Sequence, residues 1–132
     1  LKYSRYKHVM FKASGESRMK GIAAFIKADK GVLIGPQLLR GLNLPDELCE
    51  WVVFPKLPYP SLGDPRVQEL MKGGEDRYLV ETLSALVQGA GRGLRHKDDT
   101  CEVFILDSGA GYLFKRAASW LPQWFREAIV YN

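Results

Sequence analysis

The stretch "EWVVFPKL", residues 50–57, carries four apolar residues in a row, Trp51, Val52, Val53 and Phe54, and stops at a proline. A strand with one wet face alternates apolar and polar side chains, whereas a strand covered on both faces reads as a continuous apolar run. The stretch is therefore read as a strand buried on both faces, the pattern of a parallel sheet lying between helices. "GVLIG" (31–35) and "EVFILD" (102–107) repeat it, and "KHVMFKA" (7–13) has a strand's β-prone content. Parallel neighbours need a crossover of a dozen or more residues, so helices are expected between these runs.

The intervening segments supply them. "SGES" after residue 13 is a turn able to cap a helix, after which Met19, Ile22, Ala23 and Ile26 recur at helical spacing and set a stripe expected to lie on a core. Lys30-Gly31 ends that helix. Asp64-Pro65 opens a short helical piece to Met71, "KGGED" interrupts it, and Leu79, Leu83, Leu86, Val87, Ala90 and Leu94 form a long apolar stripe. "SGAGY" after residue 107 leads to a terminal helical region rich in aromatics. Strands alternating with helices in this order favour an α/β fold with a mostly parallel sheet and helices on both sides. Ligands bind beyond the carboxyl ends of such strands, which here means the loops "GPQLLRGLNLPDE", "PKLPYPSLGDP" and "SGAG".

The 132 residues suit one domain, with no apolar run long enough to span a bilayer and no signal-peptide pattern at the start, so the chain is expected to be soluble and intracellular. Cys49 and Cys101 have no partner at metal-ligand spacing, and the histidines are only His8 and His96. A metal site is not expected, and both thiols are read as reduced and buried. The net charge of +4 is uneven: residues 1–30 hold eight Lys/Arg against two Asp/Glu, and the remainder holds eleven against thirteen. That basic end suits nucleic acid phosphates or an ordinary solvated surface. Trp51, Phe54, Trp120 and Trp124 are expected in the core, Tyr59 exposed in its proline-rich loop, and Asp107 capping a loop at a strand end.

The end of the long stripe is unusual. "ALVQGAGRGLRHKDD" (85–99) places Gly89, Gly91 and Gly93 beside Arg92 and Arg95. Each glycine in a helix costs roughly 0.5–1 kcal/mol relative to alanine, so local stability does not explain them. A backbone without side chains lets the helix approach a nucleotide or another domain closely. If the helix persists, Arg92 and Arg95 share a face, and their guanidinium forks suit a polyphosphate. Gln88 lies one turn before Arg92 and presents an amide to the same region.

Gln88 to Arg95 fits Q-x-x-G-R-x-x-R, which resembles motif VI of superfamily 2 helicases. "LLRGLNLPDEL" (38–48) resembles motif V. "VVFPKLPYPSLGDP" (52–65) resembles the strand and proline-rich loop that follow motif V in the DinG and XPD branch, and "VFILDSGAGYLFKRAASWLP" (103–122) is similar to that branch's ending. The agreement in order and spacing covers roughly residues 8–122.

The resemblance implies the C-terminal, second RecA-like motor domain of an ATP-dependent DNA helicase, a three-layer α/β domain over residues 1–132 and a fragment of a longer protein. It implies ATP and Mg2+ bound mainly by a first motor domain, with Arg92 and Arg95 reaching the γ-phosphate and Gln88 and Gly91 beside them. Gly41 and Asn43 are placed near the ribose, and Gln37, Arg40 and Tyr59 near single-stranded DNA, with RNA as a second possibility. The first motor domain of the same protein is the implied partner, and the expected site is intracellular and cytoplasmic, with DNA, in a monomer.

The sequence departs from the branch at three points. Arg40 stands where it usually has Glu, and in this resembles the Arg-Gly-Leu-Asp of DEAD-box motif V; Asn43 stands where it usually has Asp. No Walker A loop, DEAH box or four-cysteine iron–sulfur set is present. The alternative reading is a RecA-like relic that binds a protein or nucleic acid without hydrolysis.

Overall fold

Two βαβ-like arrangements make up the chain in the computed structural model, which describes residues 10–36, 38, 49–93 and 100–131. They divide into a first unit to Cys49 and a second from Glu50.

In the first unit, β1 (Met10–Lys12) pairs in parallel with β2 (Val32–Ile34), with Phe11 opposite Leu33. Ala13 N donates to Ile34 O at 2.8 Å and extends the ladder by one bond. Gly15, at φ +55°, turns the chain away from β1. A tight turn over Gly15–Ser17 then runs into α1 (Arg18–Ile26), the crossover between the strands.

The helix is where the periodicity put it, but its buried face is different. Ile22 and Phe25 are buried with Ala13, while Met19 is 72% exposed and Ala23 and Ile26 also face solvent. Gly21 explains the choice. A Cβ there would fall inside the contact distance of the Lys12 carbonyl, so α1 lies against the strand end at Gly21, and the side chains beside it turn inward. Phe25 then meets Phe11 edge-on, with ring centroids 6.0 Å apart. Gly35 makes a similar close approach to the Ala13 carbonyl.

In the second unit, β3 (Trp51–Phe54) pairs in parallel with β4 (Glu102–Ile105), Val53 opposite Phe104. Between them run α2 (Pro65–Lys72) and α3 (Glu75–Ala90), which pack on each other; α4 (Ala110–Ala117) and α5 (Gln123–Glu127) follow β4. Asp64 caps α2 by accepting from Arg66 N at 2.9 Å, and Pro65 occupies the first helical position, where its missing N–H costs nothing. Leu79, Leu83, Leu86 and Ala90 of α3 are buried in a core with Phe54, Leu57, Leu113, Phe114, Ala117, Leu121 and Phe125.

Here too the strands differ from expectation. Phe54 is 4% exposed, but Trp51, Val53, Phe104 and Leu106 are 45%, 38%, 47% and 67% exposed. The register places these four on one face of the β3–β4 pair. That face is left open among the described residues, so an apolar run did not guarantee burial on both sides. Trp120 and Trp124 are also exposed rather than in the core, and Cys49 and Cys101 are half-buried thiols rather than buried ones.

Candidate functional site

The second helix of the second unit, α3, sets both ends of the site. The Gly73-Gly74 break, with Gly74 at φ +108°, frees the chain to restart, and Glu75 and Asp76 place negative charge at the positive end of the helix dipole. Its apolar stripe seats it on the core, and its far end reaches the glycines.

There the α-helix ends at Ala90 and tightens into a turn over Gly91–Gly93. Arg92 therefore sits on the tightened turn and not on a continuing α-helix. Gly91 has φ −70° and its N–H donates to Val87 O, so it is not required for left-handed backbone. A Cβ at Gly91 would meet nothing within 4 Å. Arg92 is half-buried with its Nε enclosed, and Gln88, exposed one turn earlier, donates from Nε2 to Ser84 Oγ at 3.5 Å. A shallow cavity of about 250 Å³ lined by Val80, Ser84, Val87, Gln88, Trp120 and Pro122 runs along this side of α3.

At the other end, Asp107 ties together the loops that leave β3 and β4. Its carboxylate accepts from Leu57 N at 3.0 Å and from Gly109 N at 2.9 Å, with Lys56 Nζ 4.0 Å away. The Gly109 and Leu57 amides, followed by the Lys56 charge, hold the carboxyl below its usual range. The proline-rich loop is anchored further along: Tyr59 stacks on Tyr78 at 5.6 Å and 11°, Tyr78 Oη donates to Pro60 O at 3.0 Å, and Gln68 Nε2 donates to Leu62 O at 3.0 Å. Partial burial, then the nearby Asp107 charge, pushes the Tyr59 phenol above its ordinary value.

A folded-state pKa below the unfolded one contributes stability that is complete above the unfolded value and is lost as pH falls through the folded one. Wild type and Asp107→Asn are thus expected to differ in melting temperature above about pH 4, with the gap closing in more acidic buffer. A gap that stayed constant into strong acid would rule out the carboxylate as its source.

The structure thus gathers Gln88, Gly91 and Arg92 at one end of α3 and places Tyr59 at the other. Arg95, Gly41, Asn43, Gln37 and Arg40 lie outside the described residues. Of the eight cations in residues 1–30, Lys12, Lys20, Lys27 and Lys30 are exposed and Arg18 is half-buried; Lys2, Arg5 and Lys7 lie outside the described residues. Tyr78 and Lys56 were not singled out from sequence, because nothing in local spacing links them to Tyr59 or Asp107. Among the described residues no three His, Cys, Asp or Glu gather as a metal site, and no helix is long and apolar enough to cross a membrane.

Residues 2–128 match the model of the helicase C-terminal domain. The chain belongs to that family. This helicase C-terminal domain is 30% identical over 115 residues to the ATP-dependent DNA helicase CHL1 of Vanderwaltozyma polyspora, covering 74% of the chain and 14% of that protein. It is 28% identical over 116 residues to the ATP-dependent DNA helicase DDX11 of Mus musculus, covering 74% and 12%. To the human regulator of telomere elongation helicase 1 it is 32% identical over 105 residues, covering 67% and 8%. The domain therefore spans a small part of the length of each of these relatives. No solved structure matches it. Its strands pair in parallel with helices between them, an α/β arrangement.

Proposed function

We propose that this chain is the second motor domain of an ATP-dependent DNA helicase, with the three-layer RecA-like architecture, and that it presents Arg92 and Arg95 to the γ-phosphate of ATP bound with Mg2+ mainly by a first motor domain of the same protein. The observation that carries the reading is the end of α3. Gln88, Gly91 and Arg92 collect there around a backbone position with open space in front of it, in a segment matched by the helicase family. A guanidinium binds phosphate oxygens in a planar fork and stabilises charge on a transferring phosphoryl group. Gln88 orients the same region through its amide. Gly41 and Asn43 are assigned to the ribose side, and Gln37, Arg40 and Tyr59 to single-stranded DNA. These 132 residues contain no phosphate-cradling Walker A loop. ATP turnover by the chain alone is accordingly expected at background. The protein acts inside the cell, on DNA, as a monomer.

Gly91 supplies a test that separates function from folding. Its backbone is helical and its Cβ direction is empty, so Gly91→Ala should raise the stability of the chain by about 0.4–1 kcal/mol. In the complete helicase the added methyl group stands where the facing domain and nucleotide approach, and DNA-stimulated ATP turnover should fall. A variant that is stabilised and retains full turnover would end the assignment of this turn to the nucleotide.

A further inference from the structure

Resting on that reading, we propose that Tyr59 and Tyr112, flanked by Lys56 and Lys115, form a stacking platform for the unpaired bases of a single nucleic acid strand at the carboxyl ends of β3 and β4. One face of the Tyr59 ring is occupied by Tyr78, at 5.6 Å and 11°. The residue is still 41% exposed, so a base stacked on that exposed surface would lengthen an existing pile by one ring. Every base has a flat π face, which makes such a platform tolerant of sequence.

The loop that carries Tyr59 is already ordered. Leu57 N on Asp107, Tyr59 N on Leu57 O at 2.8 Å, Tyr78 Oη on Pro60 O and Gln68 Nε2 on Leu62 O fix its backbone, so little conformational freedom remains to be lost on binding. Tyr112 is 62% exposed in the first turn of α4, three residues after Gly109, whose amide shares the Asp107 carboxylate with Leu57 of the Tyr59 loop. Within α4 it shares a face with Lys115 and Arg116, three and four residues on.

The charges around the rings are sorted in a way that suits a strand. Arg116 holds Glu75 and Asp76, each at 3.3 Å, and Asp107 is engaged by two amides. Lys115 is exposed, and Lys56, paired with Asp107 only at 4.0 Å, keeps 82% of its side chain exposed, so both ammonium groups can meet phosphates. A base could also come from ATP. Tyr78 and Ala90 are separated by about 18 Å along α3 at 1.5 Å per residue, so the two rings and the Arg92 turn stand at opposite ends of the helix. Binding of ATP and of an unpaired strand is therefore compared directly in the test.

The test measures binding of the complete chain to short oligo-dT, to an abasic phosphodiester of equal length, and to ATP. Tyr59→Leu keeps apolar bulk over Tyr78 but loses the flat ring, and should weaken oligo-dT binding roughly 5- to 150-fold while leaving the abasic strand unaffected. Tyr112→Leu should act in the same direction, and Tyr59→Trp should retain affinity. Equal affinity of wild type and Tyr59→Leu for oligo-dT, with both oligonucleotides still bound, overturns the platform and leaves the nucleic acid reading standing. Binding of neither oligonucleotide by wild type overturns both. A Tyr59→Leu defect confined to ATP overturns the platform in favour of the nucleotide's own base.

Discussion

Replacing Arg92 by alanine in the complete helicase is expected to lower DNA-stimulated ATP turnover by about 10³–10⁵, the range typical of an arginine that stabilises a transferring phosphoryl group. Arg92→Lys should stay low, because an ammonium keeps the charge and loses the planar two-pronged fit to phosphate oxygens. A solvated arginine at a helix end behaves differently: it contributes only about 0.3–1 kcal/mol to stability and nothing to turnover. Arg92 is half-buried on a tightened turn, with its Nε enclosed, so turnover and melting temperature should be followed on the same variants. Lost turnover with a native-like melting curve assigns the guanidinium to chemistry. Near-normal turnover in Arg92→Ala would remove it from the nucleotide site.

The second large effect concerns folding. Leu86 is fully buried in the middle of α3, and Leu86→Ala should cost about 2–5 kcal/mol in chemical denaturation, the sum of lost transfer energy and the cavity left behind. Met19 is the contrasting probe. Its position in the stripe of α1 suggests core, yet it is 72% exposed, so Met19→Ala should change stability by no more than about 0.5 kcal/mol. A Met19→Ala loss comparable to that of Leu86→Ala would mean that α1 presents its other face to the strands.

These two helices also show which parts of the structure were legible in the sequence. The start of α2 was readable because cap chemistry is local: Asp64 accepts an amide two residues on, and Pro65 has no amide to satisfy. The stripe of α3 was readable at Leu79, Leu83, Leu86 and Ala90, which are buried; Val87, read with them, is half-buried, and Leu94 lies outside the described residues. In α1 two sets compete, and a contact between Gly21 and the carbonyl of Lys12 decides between them. Strand pairing was legible as parallel, but the exposure of Trp51 and Phe104 was not, since an apolar run says nothing about how many helices arrive on each side. At the site, Gln88, Gly91 and Arg92 were visible as one continuous stretch. The Asp107 clamp spans 50 residues to Leu57, and the ring under Tyr59 comes from a different element, so neither leaves a spacing signature.

Gly21 and Gly35 have a consequence for how this chain can vary through descent. Each faces a backbone carbonyl, of Lys12 and of Ala13, rather than a side chain that could be exchanged for a smaller one. No second substitution can therefore make room for a methyl group at either position; only a shift of the whole strand end could. Neighbouring apolar positions can drift in compensating pairs, large against small. These two cannot, so compensating exchange in this core is open around Gly21 and Gly35 and closed at them.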